Sequence, residues 1–255
     1  WFERRMTPDG LVGFIPWWVF VDWRPEAFRE GIPPESETGA STTVNLMYVG
    51  ALDSGARIYR AVGDPHHAAI WEKRAEAMRE AIRRTCWSEK EGLFVDGPGS
   101  TNLSQHSNVW AILTDTATPE QTERIMKRLM SDSRLVQTTY IFDYYLFQAL
   151  LKVGAIEELE TVIGRWRKMV DYGFSTFPET PEPARSDCHA WSAWPMFEFL
   201  RTILGVMPGE PGYGSLVISP KPFGKLDRAS GSVPTLRGEV KVAWRREGKR
   251  FGLRA

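Results

Sequence analysis

Between Gly173 and Trp194 the sequence gathers acids, an imidazole and indoles into a stretch that regular helix cannot accommodate. It reads Gly173-Phe-Ser-Thr-Phe-Pro-Glu179, passes through Pro181, Glu182 and Pro183, and resumes as Arg185-Ser-Asp-Cys-His189-Ala-Trp191-Ser-Ala-Trp194. Pro178, Pro181 and Pro183 fix φ and remove backbone donors, which predicts a held, non-repetitive loop between two helical segments. A carboxylate on a stiff loop beside indoles suits a sugar. Flat apolar rings cover the C–H face of a pyranose, and the carboxylate moves protons and binds hydroxyls. Glu179, Glu182, Asp187, His189, Trp191 and Trp194 are the candidates. The same residues also describe a proline-rich connector whose Trp side chains pack in a core, and the stretch alone leaves both readings open.

A second aromatic run, Phe14-Ile-Pro-Trp-Trp-Val-Phe-Val-Asp22-Trp23, ends on an acid. A carboxylate closing an apolar run needs a partner or a ligand. Capping a turn is the simpler use of Asp22 and stays open beside it. Farther on, Ser104-Gln105-His106-Ser-Asn108 opens a helix with Gln105 and Asn108 on one face and His106 nearby.

The elements that must position these residues are mostly helices. Val44, Met47, Tyr48, Ala51, Leu52, Ile58, Tyr59 and Val62 recur at helical spacing up to Gly63. Asp64-Pro65 caps a second helix running to about Thr85. Trp87 to Gly99 reads as a short hairpin. Further helices are predicted from Ser104, from Thr118-Pro119, over 138–153, over 156–170 and over 189–204. The helices at 65–85, 119–131 and 156–170 carry a charged side, as an outer layer does. Those at 104–114, 138–153 and 189–204 are richer in aromatic and amide residues, as an inner layer facing a cavity would be. Short connections between them suggest stacked αα-hairpins. Past Pro208-Gly-Glu-Pro-Gly212 the period changes to two, and Leu216–Ile218, 229–233, 239–244 and 251–253 read as strands.

Composition narrows the function classes. The chain has 255 residues, 42% of them apolar, enough for a packed core. Its 32 basic and 32 acidic residues are interspersed, which points away from nucleic acid and from anionic membrane surfaces. No apolar run approaches the ~20 residues that span a bilayer. Cys86 and Cys188 read as free thiols, and four His without ligand spacing predict no catalytic metal. Eleven Trp, several clustered beside Pro and Gly, favour a carbohydrate cleft. Trp1-Phe-Glu-Arg-Arg is neither a Met start nor a signal peptide and reads as the tail of a helix. The expectation is an internal fragment, with the compartment, cytoplasmic or secreted, left open.

In this order the pieces resemble one family, the bacterial α-L-rhamnosidases, six-hairpin glycosidases whose (α/α)6 barrel is followed by a β-sandwich. The matching pieces are Pro8-Asp-Gly-Leu-Val-Gly, Trp17, Phe20-Val-Asp22-Trp23, Ser104-Gln-His-Ser-Asn108, Thr139-Tyr140 to Gly154, Ser175-Thr-Phe-Pro-Glu179 and His189-Ala-Trp-Ser. Leu204-Gly-Val-Met-Pro-Gly and Leu216-Val-Ile-Ser-Pro-Lys follow, so the likeness runs through nearly the whole chain. It implies a mainly α fold: a partial (α/α)6 barrel over 1–207 and the start of an antiparallel β-sandwich over 208–255.

The resemblance also implies roles. Glu179 matches the general base that activates water in an inverting displacement. Asp22 and Trp23 match the pair that binds the rhamnose ring and its hydroxyls, His189 a histidine of the substrate subsite, and Gln105 and His106 cavity-facing positions of one branch. Trp194 joins the expected substrate-binding set. Pro178 departs from the family, where many members carry Trp before the glutamate, so that wall of the pocket differs. Inverting hydrolysis needs a second carboxyl ~6.5–9.5 Å from the first. The family's acid lies on a segment without equivalent here, and Glu182, Asp187, Asp143 and Asp22 are the only carboxylates near the expected cavity. Seven helices do not close a twelve-helix barrel, so the missing N-terminal part of the same chain is an expected partner, and the fragment alone is expected to be inactive. The expected substrate is a carbohydrate: rhamnosides, plant glycosides or polysaccharides. Alternatives are another six-hairpin glycosidase (trehalase-like or glucoamylase-like), a catalytically inactive sugar-binding relative, or a helical-repeat scaffold. The absence of a fixed repeat period counts against the last.

Overall fold

A computed structural model describes residues 1–181 and 184–255. The chain divides into two compact units, Trp1–Lys152 and Val153–Ala255.

In the N-terminal unit, one 3-10 turn (Phe2–Arg5) stands where the tail of a helix was expected. α1 (Pro34–Thr38) forms inside a stretch that sequence reads only as turns. α2 (Thr42–Ala61) and α3 (Pro65–Cys86) are joined by three residues and pack along each other. Gly55 permits that approach, since a Cβ there would collide with the Trp71 ring. The hairpin β1 (Trp87–Ser88) and β2 (Leu93–Phe94) leads to α4 (Gln105–Leu113), α5 (Pro119–Leu129) and α6 (Asp143–Val153). Each of α2 to α5 starts on a side-chain cap. Asp64 accepts from the His67 N–H at 3.0 Å, and Thr118 and Gln121 form a reciprocal capping box. Leu46, Val49, Ile82, Phe94, Val109, Phe147 and Leu150 fill the core.

α6 starts five residues after its predicted beginning. The N–H groups of Thr138 and Thr139 are committed to the side chains of Gln105 and Asp22, so the backbone there is held off the helix.

The C-terminal unit is less regular than predicted. The segment 156–170 is a 3-10 turn (Ile156–Glu158), α7 (Leu159–Gly164) and α8 (Arg167–Asp171) instead of one helix. Over 189–204 a 3-10 turn (Ala190–Ala193) precedes α9 (Trp194–Glu198) and a π-helical turn (Phe199–Ile203). Pro195 lacks an N–H, so it fits the first turn of α9 and breaks the ladder from the residues before it. The strands follow: β3 (Val206–Pro208) pairs antiparallel with β4 (Leu216–Ile218), and β5 (Arg228–Thr235), β6 (Gly238–Glu247) and β7 (Arg250–Arg254) form an antiparallel meander. Leu204, Val206, Val233 and Val242 form its small core, and the Trp244 indole donates to the Ile203 carbonyl at 2.7 Å. The class is therefore the expected one: helical hairpins followed by small antiparallel sheets.

Candidate active site

In the C-terminal unit, the loop between α8 and α9 is irregular but tightly bonded. The Glu179 N–H donates to the Ser186 carbonyl at 2.8 Å and the His189 N–H to the Phe177 carbonyl at 2.6 Å. The Trp191 indole donates to the Glu179 carbonyl at 2.8 Å, and the Ser192 hydroxyl to the Pro178 carbonyl at 2.5 Å. Thr176 adds a hydroxyl bond to the Asp187 carbonyl. The two arms of the loop are thus laced together, which fixes the Glu179 main chain from both sides.

The Glu179 side chain is only 3% exposed, and a buried carboxylate persists only with partners. Arg185 supplies them as a fork: Nη2 donates to Oε1 at 2.5 Å and Nε to Oε2 at 3.1 Å. His189 lies with Nε2 3.6 Å from Oε1, its Nδ1 3.0 Å from the Ser186 hydroxyl and its ring against Trp191. The Arg185 side chain is 73% exposed, so solvent lies beyond the guanidinium and the carboxylate beneath it. A fixed acid, a permanent cation and an imidazole thus meet on one rigid loop. That arrangement can orient a water or a sugar hydroxyl and accept its proton. Glu182 and Pro183 lie outside the described residues, and Asp187 and Cys188 are exposed. Trp194 is buried and packs edge-on against Trp166 at 4.9 Å, so its indole belongs to the core of this unit.

In the N-terminal unit, Asp22 has no exposed surface. Its Oδ1 accepts from the Trp23 N–H at 2.9 Å and from the Thr139 hydroxyl; its Oδ2 accepts from the Thr139 N–H at 2.8 Å and faces His106 Nε2 at 2.8 Å. His106 is wholly buried between the rings of Phe28 and Phe142. Gln105 is wholly buried too, donating to the Leu129 carbonyl at 2.8 Å and accepting from the Thr138 N–H at 2.9 Å. The expectation that Gln105 and His106 face a cavity is therefore corrected: both are spent on holding neighbouring segments. Trp23 remains partly exposed, with its ring 5.3 Å from Phe20 and 6.4 Å from Trp18. Asp143, another candidate carboxylate, is buried at the start of α6 and accepts from the Thr138 hydroxyl at 2.5 Å.

Sequence reasoning missed Arg185 as the partner of Glu179 and Thr139 as the partner of Asp22. It also missed Asp96, a buried acid bonded by Ser104 and Ser107 at 2.6 Å each. Burial pushes the Asp96 carboxyl up to about 6; the two hydroxyls pull the other way, Glu35 adds to the rise and His106 offsets it. Among the described residues no group of three or more His, Cys, Asp or Glu side chains is arranged to hold a metal ion.

Helical hairpins followed by small antiparallel sheets define the class of fold. Residues 3–203 match the bacterial alpha-L-rhamnosidase 6 hairpin glycosidase domain, and residues 205–255 the bacterial alpha-L-rhamnosidase C-terminal domain. The chain belongs to the bacterial α-L-rhamnosidase family. It is similar to the GH78 family rhamnosidase of Bacillus sp. GL1, with a TM-score of 0.88 and 26% identity over 99% of this chain and 28% of that one. A rhamnosidase from Klebsiella oxytoca with rhamnose bound shares the fold at a TM-score of 0.65 and 24% identity, over 77% of this chain and 39% of that one. An alpha-L-rhamnosidase of Alteromonas sp. (strain LOR) is 46% identical over 46 residues, 18% of this chain and 5% of that protein. The chain thus spans well under half the length of each of these relatives.

Proposed function

We propose that this chain is the C-terminal part of the catalytic barrel of an inverting α-L-rhamnosidase, with the β-module beginning near 208, and that Glu179 is its general base. The observation that carries the reading is the Glu179 carboxylate, nearly buried, forked by Arg185 and neighboured by His189 on a laced loop. A general base works by holding one oxygen at a fixed place beside the attacking water, and a loop bonded on both arms provides that fixity. Trp23, partly exposed, and His189, half-buried, are the proposed sugar contacts. Trp194, Gln105 and His106 are assigned to the frame behind such contacts, because their side chains are buried.

The second carboxyl is assigned to a segment outside this chain. Asp22 and Asp143 are buried and bonded, unlike an acid that must reach a leaving oxygen. On this reading the chain alone is inactive and the full-length protein acts without metal or cofactor. The rhamnose bound in the Klebsiella oxytoca relative supports a rhamnoside substrate. The same shortage of acids favours one other reading, a sugar-binding relative without hydrolysis.

A panel of nitrophenyl glycosides given to the full-length protein tests the proposal. Preference for the α-L-rhamnoside is expected, with Glu179→Gln about 10²–10⁴-fold slower, the size of a general-base contribution. A protein that binds rhamnose yet cleaves nothing would belong to the second reading.

A further inference from the structure

We infer that Asp22 is a positioning residue: its carboxylate, held by His106 and Thr139, fixes the Trp23 indole as a surface for the sugar ring. The inference rests on the proposed role of Trp23 in sugar binding, and it changes what Asp22 does.

A carboxylate offers about four acceptor sites. In Asp22 all four are filled by protein donors: the Trp23 N–H, the Thr139 hydroxyl, the Thr139 N–H and the His106 ring. With no exposed surface and no acceptor left over, the side chain cannot take a sugar hydroxyl without first releasing one of those donors. His106 faces Oδ2 through Nε2, while its Nδ1 is buried without a hydrogen-bond partner. The tautomer that fits carries its hydrogen on Nε2. Phe28 and Phe142, at 5.0 and 4.3 Å, hold the ring in that orientation.

The arrangement acts on Trp23 directly. The first atom of that residue, its backbone nitrogen, is one of the four donors. The same short loop is pinned again by the Val21 N–H to the Gly31 carbonyl at 2.8 Å and by the Trp18 indole to the Glu30 carbonyl at 2.9 Å. The Trp23 ring then lies beside Phe20 and Trp18. Stacking on a sugar is strongest when the ring is ordered before the ligand arrives, because no side-chain freedom is then lost on binding. Asp22 thus clasps the loop to the start of α4 and to the segment before α6, far away in sequence.

The test uses the full-length protein, three variants that alter the clasp, and Trp23→Phe and Asp22→Asn for comparison. His106→Leu removes the ring donor, His106→Gln restores an N–H near the position of Nε2, and Thr139→Val removes the hydroxyl while keeping the backbone N–H. L-rhamnose affinity, kcat and KM on p-nitrophenyl α-L-rhamnoside, and acrylamide quenching of tryptophan emission are read for each. Expected for His106→Leu and Thr139→Val is a KM and Kd rise of about tenfold, equivalent to about 1.4 kcal/mol, with kcat little changed and quenching increased. The quenching increase should vanish in a Trp23→Phe background, and His106→Gln should recover most of the affinity. If Asp22 were instead a direct ligand, Asp22→Asn would abolish binding while both His106→Leu and Thr139→Val left it intact; that result overturns the inference. Should His106→Leu fail to fold, Thr139→Val carries the same comparison. A wild type that binds no rhamnose defeats the proposed function alone, since quenching still reports whether the clasp orders Trp23.

Discussion

At the scale of single residues, two buried acids are held by different donors. Glu179 meets a permanent cation at the surface, whereas Asp96 meets only hydroxyls. With its carboxyl raised from 3.8 to about 6, Asp96 binds its proton more tightly in the folded chain than in the unfolded one. Its contribution to stability is therefore full below about pH 4 and is lost as pH rises through about 6. Asp96→Asn keeps an oxygen for Ser104 and Ser107 and removes the charge. Across pH 3.5 to 7.5 the wild type should lose about 3 kcal/mol of unfolding free energy relative to that variant, read by denaturant melts. A difference that stays flat with pH contradicts the assignment. Little of this residue chemistry could be read from sequence. Glu179, Asp22 and His189 stood out by type and neighbours, but Thr139 lies 117 residues from Asp22, and nothing local announces a partner at that distance. Arg185 is six residues from Glu179 and was legible only as the start of a motif.

At the scale of elements, local chemistry decides what sequence can reveal. Asp64-Pro65 and Thr118-Pro119 start their helices where predicted, because a cap and a first-position proline act on their own turn. The start of α6 was misplaced because its first N–H groups answer to side chains from other segments. The helices predicted over 156–170 and 189–204 break where tertiary bonds and a proline outrank periodicity, as at Trp166, whose indole donates to the Ser192 carbonyl at 2.8 Å. Where the β-module begins, Gly205 adopts φ +84°, and a Cβ there would strike the backbone of Pro220. Gly205→Ala should cost at least about 2 kcal/mol from the left-handed conformation and the clash together. An unchanged denaturation midpoint would remove that account of the glycine.

At the scale of the whole molecule, the order of motifs carried more than any one of them. Glu179 alone fits a connector as well as a sugar site, but the sequence of pieces from Pro8 to Lys221 defined the family that the matches over 3–203 and 205–255 establish. The chain covers 28% of the Bacillus sp. GL1 enzyme, and the proposed reading predicts that the 255 residues alone release no rhamnose. The most direct measurement is a proton NMR time course of the sugar released from p-nitrophenyl α-L-rhamnoside by the full-length protein, run beside Glu179→Gln. The account predicts β-L-rhamnose as the first anomer, followed by mutarotation, and almost no release by the variant. The α anomer appearing first, or a variant as fast as the wild type, would contradict Glu179 as the base of an inverting reaction.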